Sequence, residues 1–364
     1  MNRLAGLAFA LLFISCATTK KINTERARFT FLDDFVLDSD LKFEDTKVGG
    51  LSGIDFSNGK YYIICDQPSN PRFYIADIRV NGFSIDTVAI EKVVKMKKSP
   101  GLKDHYLDPE SIRFQPEENS VIISSEGRIA EGKDPGIFRF STDGEFIEGY
   151  TIPDYFLASG EQKPRDNGVF EGMAKSTDSQ GYWIATELPL EQDGPKPKLF
   201  STTSPVRFTL FNSEENKAVK QFAYKLDGIT KIPFLYFAVN GVTEILEYEK
   251  EKFLVLERSF SAGHGTNSNT VKIFTADAQN ATNTMDINRL RKSDYRFADK
   301  ELVFNFKSVK KKLSEEIIDN IEGMCFGPIL PNGNRSLVLI SDNNFNSFGK
   351  QLSQIILLEI EHLN

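Results

Sequence analysis

One tryptophan, three histidines and three cysteines are spread over 364 residues, and each scarcity removes a kind of chemistry. His105, His264 and His362 are too few and too scattered for a histidine-rich metal centre, and no H-E-x-x-H occurs. The phosphate-cradling P-loop and the dinucleotide fingerprint are missing as well. There is no G-x-S-x-G elbow, because Gly50-Leu51-Ser52-Gly53 puts its second glycine one residue early. A serine-esterase mechanism therefore lacks its usual nucleophile. Beyond residue 16 no apolar run is long enough to span a bilayer. Helical periodicity is sparse, and SVKKKLSEEIIDNI (308–321) is the best helix candidate. Basic charge is in deficit: 44 Lys and Arg face 51 Asp and Glu, a formal charge of -7 that argues against nucleic acid as a partner.

The first sixteen residues, MNRLAGLAFALLFISC, place Arg3 before an apolar run from Leu4 to Ile14, then Ser15-Cys16. That is the layout of an export signal. Ser15-Cys16 resembles a bacterial lipobox. By that resemblance residues 1–15 are a lipoprotein signal peptide, Cys16 carries the lipid, and residues 16–27 form a polar tether. A plain signal peptide with an incidental cysteine is the alternative. The expectation is an exported protein of the bacterial cell envelope, held to the membrane through Cys16. Cys65 and Cys325 remain for the domain itself. An exported compartment permits a bridge, yet both sit in apolar strand-like runs, so buried free thiols are expected.

What is abundant is short β-type runs. KYYIICD, SVIISSE, GYWIATE, KFLVLERS, SLVLISD and their neighbours are rich in Val, Ile, Phe and Tyr and are punctuated by Gly, Asn, Asp and Pro. A phrase recurs among them: LSGIDF (51–56), ESIRF (110–114), EGMAK (171–175), GVTEILEY (241–248) and EGMCF (322–326). After each comes a turn, then an apolar strand ending in an acid, at Asp66, Glu126, Glu187, Glu257 and Asp342. Two more strands follow in most units. A four-strand unit recurring at long intervals predicts an all-β propeller of four-stranded blades. Five blades are recognisable; a sixth stays open because 188–240 has room for one. The last unit shows three strands, and RFTFLDDFVLD (28–38) can supply the fourth and close the ring. Residues 28–362 read as one domain, with 91–108, 259–269 and 278–300 as excursions crowning one end.

In such a ring equivalent positions gather around the axis. Glu110, Glu171 and Glu322 form one set, with Ser52 and Thr243 completing it. The strand-ending acids form a second, nearer one mouth. Converging carboxylates repel unless cations answer them. Arg128 and Arg258 stand beside two of them, and Arg72, Arg165 and Lys272 are further internal cations. Hard oxygen donors without clustered His or Cys suit Ca²⁺, or Mg²⁺. Blade-to-blade ion pairs would also repeat once per blade, but the extra Glu on three blades alone points to a lopsided site.

At these residues the chain resembles the phytase-like domain family, named for the esterase-like activity of phytase. GGLSGIDFSNGKYYIICD, DPESIRF, GVFEGMAKSTDSQGYWIATE, NGVTEILEYEKEKFLVLERSF and DNIEGMCFGP carry the likeness, from Val48 to Glu361 in order. It implies an exported propeller associated with phosphate-ester or ester hydrolysis. On this reading Asp66, Glu110, Glu171, Glu257, Glu322 and Asp342 hold Ca²⁺. Arg128 and Arg258 clamp the phosphate of a small phosphorylated substrate, and Glu126 or Glu187 serves as general base. A non-enzymatic binding propeller of the envelope and a lactonase-like hydrolase are the alternatives.

Overall fold

The computed structural model describes residues 26–199, 202–346 and 350–363. Cys16, the export signal and residues 16–25 of the tether lie outside the described residues. The described chain opens with β1 (Arg28–Val36) and a small hairpin, β2 (Lys42–Phe43) and β3 (Thr46–Lys47). All other strands fall into five antiparallel four-stranded sheets. The first blade is β4 (Leu51–Ser57), β5 (Lys60–Cys65), β6 (Arg72–Asn81) and β7 (Ser84–Lys95). The second is β8 (Pro109–Gln115), β9 (Ser120–Ser125), β10 (Gly136–Ser141) and β11 (Phe146–Gly149). The third is β12 (Phe170–Lys175), β13 (Gly181–Thr186), β14 (Pro205–Asn212) and β15 (Lys217–Lys225). The fourth is β16 (Ala238–Glu249), β17 (Lys252–Ser261), β18 (Asn269–Asp277) and β19 (Asp299–Asn305). The fifth is β20 (Ile321–Ile329), β21 (Arg335–Ser341) and β22 (Gln354–Glu361), with β1 as its outermost strand.

The innermost strands close a ring: β4 packs on β8, β8 on β12, β12 on β16, β16 on β20, and β20 back on β4. The chain is a five-bladed propeller, and 188–240 contributes loops and the two outer strands of blade three rather than a sixth blade. Both faces of every sheet are covered by neighbours, which explains why the second strands read as continuous apolar runs. Apolar side chains collect into five clusters, one per seam between blades. Trp183, Phe208 and Phe222 of blade three, for example, meet Val242, Phe253 and Phe274 of blade four. Cys65 and Cys325 lie in the seam of blades five and one, buried and free.

β1 pairs with β22 from Arg28↔Glu361 to Val36↔Gln354. The first and last long strands of the described chain thus share one sheet, which ties the start of the ring to its end. Arg28 enters at the end of the blade where Ile329 and Arg335 turn from β20 to β21, opposite the end where Ser341 meets Ile321.

Two expected local features differ. Residues 308–321 form no α-helix: Phe306–Ser308 and Lys310–Lys312 are single 3-10 turns. Leu313 and Ile318 are drawn separately into the seam of blades four and five, and the Asp34 carboxylate accepts the Ser314 N–H at 3.0 Å. So short a run cannot hold a helix against such anchors. The 278–300 excursion does not crown the ring either. Thr284 and Ala298 donate their N–H groups to the Gln221 and Ala223 carbonyls, so it lies along β15 and covers the outer edge of blade three.

Candidate metal centre

In every innermost strand the pairing register slips at one equivalent place: Leu51/Gly53, Pro109/Ile112, Phe170/Met173, Val242/Glu244 and Ile321/Gly323; β16 and β20 slip once more, at Glu247/Glu249 and Phe326/Ile329. A β-bulge adds one residue to one strand and re-aims a side chain. The recurring phrase is the sequence of this bulge, and Glu110, Glu171 and Glu322 sit on it. Its small residues follow from crowding at the axis. A Cβ on Gly172 would stand 2.7 Å from the Glu244 Cα, and one on Gly323 2.9 Å from the Gly53 Cα.

The second set follows from the same register. Cys65, Ser125, Thr186 and Ser341 pair with Leu51, Pro109, Phe170 and Ile321, so the next residues, Asp66, Glu126, Glu187 and Asp342, are equivalent. In blade four the residue paired with Val242 is Glu257, and the equivalent of the four acids is Arg258. Counting strand-ending acids places Glu257 one residue out of register, and one residue turns a side chain to the other face. Glu257 is buried between blades three and four. Its carboxylate accepts hydrogen bonds from the Tyr224 hydroxyl (2.7 Å), the Asp227 N–H (3.1 Å) and the Asn240 amide (2.8 Å), and it pairs with Lys300. It does not join the channel.

The rest converge. Carboxylate oxygens of Asp66, Asp108 and Glu110 lie within 4.8 Å of one another, and so do those of Glu110, Glu126 and Glu171. Glu110 belongs to both groups. Asp66, Asp108 and Glu110 are half-buried, whereas Glu126, Glu171, Glu187, Glu322 and Asp342 are buried. Against eight acids the centre sets, among the described residues, one guanidinium, Arg258, 3.3 Å from Glu322 and 3.5 Å from Glu187. Asn320 accepts a bond from Arg258 and donates one to Glu322 at 3.0 Å, while the buried Arg258 Nε has no partner among the described residues.

The electrostatics follow from burial. Loss of hydration, then neighbouring carboxylates, push Asp66, Glu110, Glu126 and Glu171 well above the usual carboxylate range. Burial raises Glu187 to about 7 against the pull of Arg258, and raises Asp342 to about 8 with Glu322 adding to it. Glu322 is raised by burial, with Arg258 and Asn320 opposing. Asp108 is raised by burial, while Asp66 and Arg128 pull it down. Such a set near neutrality keeps protons or takes up cations.

Arg128 stands outside this centre, at the rim. Its side chain is half exposed, 5.0 Å over the Tyr106 ring and 3.2 Å from Glu131. Arg72 is buried under Tyr74 and Gln67, Arg165 binds the Pro189 and Gly194 carbonyls, and Lys272 pairs with Asp227.

Two residues were missed by the sequence reading. Asp108 stands two residues before Glu110, ahead of the phrase in blade two. Glu244 occupies the bulge position that is Gly53, Ser111, Gly172 or Gly323 elsewhere. It crosses the axis to Arg113 at 2.8 Å, both side chains 1% exposed, and accepts the Met173 N–H at 2.8 Å. Arg113 donates to the carbonyls of Ile54, Ile112, Met173 and Ile245. This pair plugs the channel below the carboxylates. A glutamate among four small residues was the available signal.

No curated relative matches the sequence. Solved structures that resemble the chain include the Dos1 propeller (10% identity, 85% of this chain and 67% of that one, TM-score 0.31). Another is a bifunctional GH43-CE protein of Bacteroides eggerthii (10%, 86% and 33%, TM-score 0.44). A third is an exo-β-1,3-galactanase of Phanerochaete chrysosporium (10%, 89% and 64%, TM-score 0.45). The chain spans about two thirds of the first and third of these and a third of the second, and the likeness is one of architecture alone. Residues 46–345 match a family profile that takes in all five bulged strands and every acid of the centre, and the chain belongs to that phytase-like family, described as "Esterase-like activity of phytase".

Proposed function

We propose that this propeller is a divalent-cation-dependent hydrolase of phosphate esters. The observation that carries the reading is the place of Glu110 in two three-carboxylate groups whose oxygens lie within 4.8 Å. Oxygens touching one ion at Ca²⁺ distances stand no more than about 5 Å apart. The donors are all hard oxygens, they are short of cations, and they sit where protons or metal must answer them, so the residues fit Ca²⁺, with Mg²⁺ as the smaller alternative.

Asp66, Asp108 and Glu110 would hold one ion, and Glu110, Glu126 and Glu171 a second. A bound ion of this kind supplies neutralisation of the ester phosphate and a more acidic water. The protein's own groups do the rest. Glu187, raised to about 7, changes protonation near neutral pH: it takes the proton of the attacking water and returns a proton to the leaving alcohol as the ester P–O bond breaks. Glu126 is pinned by the Val169 N–H at 2.7 Å, which fixes its carboxylate. Arg258 offers the exposed part of its planar guanidinium to phosphate oxygens, and Arg128 at the rim meets the incoming anion.

The test is phosphate release from phytate and from 4-nitrophenyl phosphate by EDTA-treated protein, with and without Ca²⁺, beside a lactone panel. Calcium-dependent release supports the reading. Turnover of lactones alone makes the protein a lactonase-like hydrolase, and calcium binding without turnover of any substrate makes it a binding propeller.

We also propose export to the cell envelope with lipid on Cys16. The Leu4–Ile14 run and Ser15-Cys16 support it. The tether would enter at Arg28, on the face opposite the carboxylates, leaving their mouth turned away from the membrane. Replacing Cys16 by Ser should move the protein from the membrane to the soluble fraction; an unchanged distribution counts against the anchor.

A further inference from the structure

A second cleft, of about 450 Å³, opens on the flank of blade four. Lys231 comes from the loop between β15 and β16, Lys272 from β18, and Lys307 and Lys310 from the turns after β19. Its other lining groups are threonines, asparagines and Ile318, with no carboxylate, in a protein whose formal charge is -7.

The lysines are unevenly answered. Lys272 has Asp227 at 2.9 Å, but Asp227 is shared with Lys300 at 3.1 Å. Lys231 donates to the carbonyls of Asn267 and Asn269, and Lys310 to the Asn267 side chain. Neither has an acidic partner among the described residues, and the Lys307 ammonium has no partner of any kind there. Three ammonium groups turned to one hollow repel one another. Burial, then Lys310 and Lys307, lowers the pKa of Lys231. Neutral carbonyls and amides leave that charge standing.

Beside this hollow the chain exposes apolar side chains. Ile232, Phe234, Leu235 and Tyr236 follow Lys231 directly, and Tyr236 is 99% exposed. The segment is tied to the loop that follows β17: the Phe234 N–H bonds the Ala262 carbonyl at 2.9 Å, and its ring lies 4.5 Å from that of His264.

We propose that the hollow between Lys231, Lys272, Lys307 and Lys310 is a binding site for a phosphate-type oxyanion, separate from the carboxylate channel. The lysines neutralise the anion, and the hydroxyls of Thr230 and Thr266 and the amides of Asn267 and Asn269 bond its oxygens. Such a group reaches the site as a free phosphate compound or as the headgroup of a lipid, whose chains the apolar segment would meet. The proposal needs no metal and no hydrolysis, so it stands or falls apart from the reading above.

Calorimetric titration of pyrophosphate at low salt tests it, with the purified protein and the K307A/K310A variant. Both positions lie at the surface, and Lys307→Ala alone serves should the double variant lose its melting transition. The expected result is saturable binding to the wild type, weakened about tenfold or more in the variant, since charge-assisted bonds to phosphate are the strong ones. A parallel sedimentation assay uses phosphatidylcholine vesicles with and without phosphatidic acid. Vesicle binding that requires phosphatidic acid and is lost in both K307A/K310A and F234S/Y236S identifies a lipid headgroup. Pyrophosphate binding without vesicle binding identifies a free phosphate compound. Equal behaviour of wild type and lysine variant toward both probes overturns the site.

Discussion

Arg258 lies 3.5 Å from Glu187 and fills in its own blade the register position that Glu187 fills in the preceding one. Blades one, two, three and five bring an acid to this level, and blade four brings the cation that makes their company tolerable. Replacing Arg258 by Met should leave Glu187 and Glu322 without their partner in a buried place. Breaking a buried pair from one side costs about 3–5 kcal/mol. Urea denaturation of the metal-free protein should show a loss of that order, and addition of Ca²⁺ should recover part of it.

Glu257 makes the complementary case. Glu257→Gln keeps the shape but weakens its bonds to Tyr224, Asn240 and Lys300. A buried bond to a charged group is worth about 1.5–3 kcal/mol. Stability should fall by about that amount while calcium affinity stays at the wild-type value. A change in calcium affinity would return Glu257 to the channel.

The fold was legible because closure repeats one problem five times. Every blade needs a bulged, crowded inner strand and a doubly buried second strand, so EGMAK and EGMCF, YWIATE and LVLISD recur. The pairing of β1 with β22 was readable from the strand missing in the last unit. Register was harder. FLVLERSF runs on where the other second strands stop, so its acid and its arginine cannot be told apart by counting, and only the partner of Val242 decides. Glu244 was hidden for a related reason: its position is small in the other four blades, and the cross-axis partner, Arg113, comes from a strand 131 residues earlier. The 308–321 segment failed because Leu313 and Ile318 are held by blade seams, which local periodicity does not record.

The plug below the carboxylates should behave as one unit. Glu244→Gln and Arg113→Met each leave a buried group uncompensated and should each cost about 3–5 kcal/mol. The double variant should cost clearly less than their sum, because residues in one network are not additive. Equal sums in a denaturation double-mutant cycle would mean that the two side chains are held independently.

The carboxylates predict an uncommon pH dependence for the metal-free protein. Unfolded carboxyl groups titrate near ~4. In the folded state Glu187 is raised to about 7 and Asp342 to about 8, with Asp66, Glu110 and Glu171 also raised. Between those limits the folded chain holds protons that the unfolded chain has released, so stability falls as pH rises through the window. The melting temperature of EDTA-treated protein should drop from pH 5 to pH 8, and calcium should flatten the drop by replacing protons. A melting temperature that climbs over this range would mean that the channel is already ionised and compensated.

Calcium titration of EDTA-treated protein near pH 7, followed by calorimetry in two buffers of different ionisation heat, tests the metal centre most directly. Wild type should bind saturably and release protons as the raised carboxyl groups give way to the ion. Glu110→Gln, which removes the carboxylate charge shared by both groups, should weaken binding by about tenfold or more. No saturable heat with either Ca²⁺ or Mg²⁺, or undiminished binding by the Glu110 variant, would contradict a metal centre in this channel.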